Sequence, residues 1–116
     1  MSFDWKDYVY LAEELLGRQE ESALRSSISR AYYGVFCIAR NKKGYKNYTG
    51  SNVHLTVINA YKNSQDRNEQ SIGQTLDKLR KSRNKADYNE DRLIDKSLAE
   101  RMVCSAKQIL ISMEIS

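Results

Sequence analysis

Ile72, Leu76, Leu79, Arg83 and Ala86 follow one another at intervals of four and three, the spacing that stacks side chains on one face of an α-helix. An arginine therefore stands on an otherwise apolar stripe. Its guanidinium cannot shed its proton, and burying it without acceptors would cost several kcal/mol. Any fold this chain adopts must seat that helix against a core and still give Arg83 a partner. Asp87 is the nearest carboxylate, one turn on at i+4, with Arg80 seven residues before it on the same side and Tyr88 adding a hydroxyl at the end. Two readings follow. One is an internal ion pair that fixes how the helix seats; the other is an anion site lined by Arg80, Arg83 and Asn84.

The rest of the chain is equally helical in pattern. It has no proline and only five glycines in 116 residues, a composition that favours helices, and its length suits one domain with a real core. Asp4 is a plausible N-cap, and Trp5, Tyr8, Val9, Ala12, Leu15 and Leu16 recur at helical spacing until Gly17, which predicts a helix over about residues 4–17. A short polar link, residues 18–22, joins it to an antiparallel neighbour. The second helix runs from about Glu21 to Arg40 with Leu24, Ile28, Ala31, Tyr32, Val35, Phe36 and Ala39 on its buried side. Ile38, Tyr33 and Cys37 make its C-terminal half apolar nearly all round, so it is central or lies at a subunit interface. Its small residues, among them Ser27 and Gly34, let a neighbouring backbone come close.

Ser51 can cap a third, shorter helix with Val53, Val57, Ile58 and Tyr61, and His54 falls on or beside that stripe as a packing residue. Residues 63–70 are the most polar run and read as a mobile connection. The fourth helix covers about Ser71 to Ala86, followed by a tight turn held by Asn89 or Asp91. Ile94, Leu98, Met102, Ile109 and Met113 mark a long fifth helix.

A net charge of +4 permits an acidic partner such as RNA or DNA, although so modest an excess also serves solubility. The cations gather in two places: the loop of residues 40–50, where Arg40, Lys42, Lys43 and Lys46 interleave with Tyr45 and Tyr48, and Lys78, Arg80, Lys81, Arg83 and Lys85 on the fourth helix. Cations late in a helix are also favoured by its dipole. Cys37, Cys104 and the single His54 cannot make a zinc site at ordinary spacing, and no glycine-rich phosphate loop is present, so no metal or cofactor is expected. Glu13 with Glu14, and Glu20 with Glu21, sit side by side and point apart, as solvated faces do. No run of about 18 apolar residues exists and the first residues lack a signal-peptide layout, so a cytoplasmic chain off the membrane is expected.

Ser29-Arg30-Ala31-Tyr32-Tyr33-Gly34-Val35-Phe36 and Arg83-Asn84-Lys85-Ala86-Asp87-Tyr88 together resemble the HEPN family of small all-α domains, and the likeness extends over almost the whole chain. The resemblance implies an up-and-down bundle of about five helices that pairs as a symmetric homodimer. It implies a cleft between subunits in which many members act as metal-independent ribonucleases, as toxins or defence effectors, often beside a nucleotidyltransferase-like antitoxin. The signature of active members is an arginine, a polar residue, then a histidine after four to six intervening positions. Arg83 and Asn84 match its first half, whereas positions 88, 89 and 90 hold Tyr88, Asn89 and Glu90. By this resemblance Arg83, Asp87 and Tyr88 are the catalytic candidates, Arg80, Arg83 and Asn84 the RNA or nucleotide contacts, and Tyr32, Tyr33 and Phe36 the dimer or partner surface. Metal-free RNA cleavage needs a base, an acid and cations to hold the phosphorane. The arginines supply the last, and binding without catalysis is the favoured expectation. The alternatives are a docking module for a nucleotidyltransferase-like protein and an active ribonuclease.

Overall fold

Where each helix begins follows from which side chain reaches its free amides. The computed structural model describes residues 2–113, and within them the chain forms α1 (Lys6–Leu15), α2 (Glu21–Lys42), α3 (Val53–Lys62), α4 (Arg67–Tyr88) and α5 (Lys96–Ser112), with no strand. Asp4 accepts the Lys6 amide on Oδ1 at 3.1 Å and the Asp7 amide on its carbonyl at 3.0 Å, so it caps α1 from one residue outside. Asn52, not Ser51, caps α3. It sits in the left-handed region at φ 54°, which asparagine tolerates, and its side chain accepts the Leu55 amide.

The largest departure from the sequence pattern is at α4, which starts four residues before Ser71. Asp66 accepts the Asn68 amide at 3.2 Å and Glu69 lies in the first turn. That turn carries only polar side chains because it extends past the core, so its periodicity is silent. The run of residues 63–70 is thus a capped helix start rather than a mobile connection. At the other end Asn89 accepts the Asp91 amide, as expected of the turn. Asp95 caps α5 through the Leu98 amide at 2.9 Å.

Helix α2 is the central one, buried on several sides, with α1, α4 and α5 packed round it. This corrects the expected surface: Tyr32 and Phe36 are 0% and 1% exposed inside the single chain, and only Tyr33 keeps an accessible edge. A helix apolar all round fits a bundle centre as well as an interface, and here the core took it. Small residues do admit α1: Ser27 Oγ donates to the Ala12 carbonyl at 2.7 Å, and a Cβ on Gly34 would lie 2.9 Å from the Trp5 carbonyl oxygen. The end of α3 approaches α4 more closely still. A Cβ on Gly73 would lie 2.6 Å from the Lys62 backbone nitrogen.

Ile72, Leu76 and Leu79 seat α4, buried as the stripe requires. Each such side chain contributes about 1.5–3 kcal/mol, more than the 0–1 kcal/mol of a partly exposed ion pair. The seating of α4 therefore does not depend on Arg83. Among the described residues no helix is long and apolar enough to cross a membrane.

Candidate functional site

Because Arg83 shares the buried stripe of α4, its guanidinium is held at the edge of the core beside α2. Its carbon lies 5.9 Å from the Tyr32 ring and 5.5 Å from the Tyr88 ring, within cation–π range. Nη1 donates to Asn84 Oδ1 at 3.2 Å. Nε lies 3.0 Å from Asp87 Oδ2, but its N–H does not point at that oxygen and so has no hydrogen-bond acceptor. The contact is an ion pair without a directed bond. Asp87 Oδ2 is also taken by Ser29 Oγ from α2 at 3.0 Å.

Arg80 stands one turn earlier. Its buried Nε has no acceptor, and among the described residues the side chain has no ion-pair partner. Asp77, three residues before it on the same helix, is engaged by Lys62 at 3.5 Å and Lys81 at 3.2 Å. Arg83 thus has one paired carboxylate, and Arg80 has none among the described residues.

His54, in the first turn of α3, completes the group. Its ring stacks on Phe36 with centroids 4.2 Å apart, and Nδ1 lies 2.7 Å from the Tyr32 hydroxyl. Burial first, then the charges of Arg83 and Arg80, push its pKa down to about 4, so it is neutral at pH 7. Burial pushes the Tyr32 phenol up, so that hydroxyl keeps its proton. With that hydroxyl donating to Nδ1, its hydrogen-bond partner at 2.7 Å, the proton of the neutral imidazole would sit on Nε2. In this tautomer the lone pair of the imidazole is occupied. His54 is a hydrogen-bond donor and a poor base.

Of the residues expected at the site, Arg80, Arg83, Asn84, Asp87 and Tyr88 are gathered on the last three turns of α4, with Tyr88 73% exposed at the rim. Tyr32 and Phe36 belong beneath it, as the support for Arg83 and His54. Tyr33 does not join them; it packs on Trp5 of the α1 end with centroids 5.5 Å apart. His54 and Ser29 are the members that spacing alone misses. The only hint was a polar residue beside the α3 stripe. In the loop of residues 40–50, Lys43 is tied to Glu69 at 2.8 Å and Tyr45 meets Tyr48 edge-on, so no open stacking row forms there.

The α4 cations divide between two flanks. Arg80 and Arg83 look toward α2 and α3, whereas Lys78, Lys81 and Lys85 line a groove of about 560 Å³ against α5. That groove, and others of about 400 Å³ beside Lys43 and Glu69 and between α1 and α5, exclude Arg80, Arg83 and His54. Arg80, Arg83 and Asn84 are half-buried at the surface of the single chain, and Asp87 and Tyr88 are exposed. No group of three His, Cys, Asp or Glu side chains among the described residues is placed to hold a metal ion. No protein-family model, curated protein or solved structure matches the chain.

Proposed function

We propose that the chain is a HEPN-like domain protein that binds RNA or a nucleotide through its phosphates at the Arg83-centred surface, with weak or no catalysis, in a toxin–antitoxin or defence setting. One observation carries the reading: of Arg80 and Arg83, one turn apart, Arg83 is paired with a single carboxylate, Asp87, and Arg80 with none among the described residues. A guanidinium held in place without full neutralisation is a ready site for a phosphate, which it meets with two N–H groups at once. Asn84 and the Nε2–H of His54 add neutral donors, and Tyr88 offers an exposed ring on which a base can stack.

Catalysis is disfavoured on the same chemistry. A ribonuclease of this kind needs a base for the 2′-hydroxyl. His54 has its lone pair occupied by Tyr32, and Asp87 is engaged by Arg83 and Ser29. A homodimer is part of the proposal because the half-buried cluster reaches the surface of one chain, and a second subunit across it would make a cleft. A nucleotidyltransferase-like antitoxin is the proposed heterologous partner.

The test is binding and cleavage of a mixed-sequence RNA in EDTA by the parent and by Arg83→Ala, with folding checked by circular dichroism. The parent binds without cleaving, and the variant binds about tenfold more weakly, with its salt slope reduced by about 0.7 for the lost contact. No RNA or nucleotide binding by the folded parent would remove the proposal. Cleavage by the parent and not by the folded variant would establish the ribonuclease alternative.

A further inference from the structure

The lysines that α4 turns away from Arg83 form a second surface that the first does not explain. Lys78, Lys81 and Lys85 stand at intervals of three and four on the flank facing α5, and Arg101 projects from α5 on the other side of the groove. Leu98 and Met102 give it an apolar floor, and no carboxylate lines it. Among the described residues, only Lys81 of its four cations has a carboxylate partner, Asp77, which is shared with Lys62 of α3, while the Lys81 side chain itself is exposed.

We infer that this α4–α5 groove is a docking site for an acidic protein segment, a helical stretch with Asp or Glu at three-to-four spacing beside an apolar side chain. Charge complementarity gives the sign of the occupant, and the lining gives its kind. Lysine is a point charge on a flexible stem, suited to separate carboxylates. No aromatic ring lines the groove, so bases of a single strand would find nothing to stack on. Leu98 and the adaptable thioether of Met102 instead accept an aliphatic side chain. The lysine row spans seven residues of helix, about 10 Å, which two turns of a partner helix would cover. The inference goes beyond the Arg83 reading and stands without it.

Cys104 lies exposed at the rim whereas Cys37 is buried, so one thiol reports on the groove in the intact chain. The probe is a fluorescent helical peptide of about 14 residues with glutamates on two successive turns flanking a central leucine, with poly-uridine as the rival ligand. The peptide binds saturably, slows maleimide labelling of Cys104, and binds about tenfold more weakly to Lys78→Glu/Lys85→Glu. Changing its leucine to serine weakens it about five- to tenfold, and Arg83→Ala leaves it unchanged. Lys78→Gln/Lys85→Gln serves if the charge-reversed protein does not fold. No saturable binding, or binding indifferent to the lysines, would overturn the inference. So would poly-uridine that protects Cys104 in a lysine-dependent way more strongly than the peptide does.

Discussion

Arg25 on α2 and Arg83 on α4 are almost equally buried, with 19% and 21% of their side chains exposed, and each has a carboxylate four residues away on its own helix. Their surroundings differ in acceptors, not in depth. Arg25 Nε donates to Glu21 at 2.9 Å, Nη1 to the carbonyls of Ala86 at 2.9 Å and Lys85 at 3.3 Å, and Nη2 to the carbonyl of Arg92. Those carbonyls belong to the end of α4 and the turn after it, where helical partners run out. Arg25 and the Ile94 amide in turn hold Glu21 below the usual carboxylate range. Arg83 has one bond to its neighbour Asn84 and a misdirected pair with Asp87. One guanidinium is consumed in closing the fold over Ile28, Ala86 and Ile94. The other is positioned by the fold and keeps its donors.

The comparison breaks or holds in order of effect. Arg25→Ala should cost about 2–3 kcal/mol and lower the melting temperature by roughly 10 °C, because it strands several carbonyls together with Glu21. A change as small as that of Arg83→Ala would mean the two arginines do not differ. Acid comes next. The folded His54 titrates near 4 rather than at the ordinary 6.5, so the unfolded chain takes up this proton first. The associated stability is complete above about pH 6.5 and is lost as pH falls toward 4. Discounted for a half-buried ring, that loss is about 1–2 kcal/mol, read as the extra acid sensitivity of the parent over His54→Gln in thermal melts. Equal slopes would show that the ring is not kept neutral.

Arg83→Ala should lower stability by about 1 kcal/mol or less, since apolar burial seats α4. It should also raise the His54 pKa, by removing one of the charges that depress it, a change visible in the proton NMR titration of the single histidine. A large fall in melting temperature would return Arg83 to a structural role. Arg83→Lys is the smallest change. It should stay within about 0.5 kcal/mol of the parent and weaken phosphate binding a few-fold, because an ammonium lacks the planar fork.

Apolar spacing made α1, α2, α3, α5 and the buried stretch of α4 legible, because in those segments one face meets the core. The first turn of α4 was hidden since Arg67 and Asn68 face outward, although Asp66 and Glu69 already spelled a helix start. Arg83 on the stripe pointed to the site, and Asp87 was found where i+4 spacing put it. The bond from Tyr32 to His54 was not legible. It joins two helices, and spacing within each says nothing of how far one is rotated against the other. Tyr32 and Phe36 were misplaced for a related reason: the side of α2 that they occupy is covered by α3 and α4, a fact of packing rather than of pattern.

Gly73 gives this packing a mechanical side. The absence of a side chain lets the C-terminal end of α3 rest almost backbone to backbone on α4, while His54 rides at the opposite end of the same rod, about 12 Å away. α3 is thus a lever with its fulcrum at residue 73. A methyl group added there would lie 2.6 Å from the Lys62 backbone nitrogen, closer than a Cβ can sit, so the near end would have to move away and swing the imidazole relative to Arg80 and Arg83. The spacing of His54 from Arg80 and Arg83 is therefore set in part at residue 73, on the far side of α3 from the imidazole.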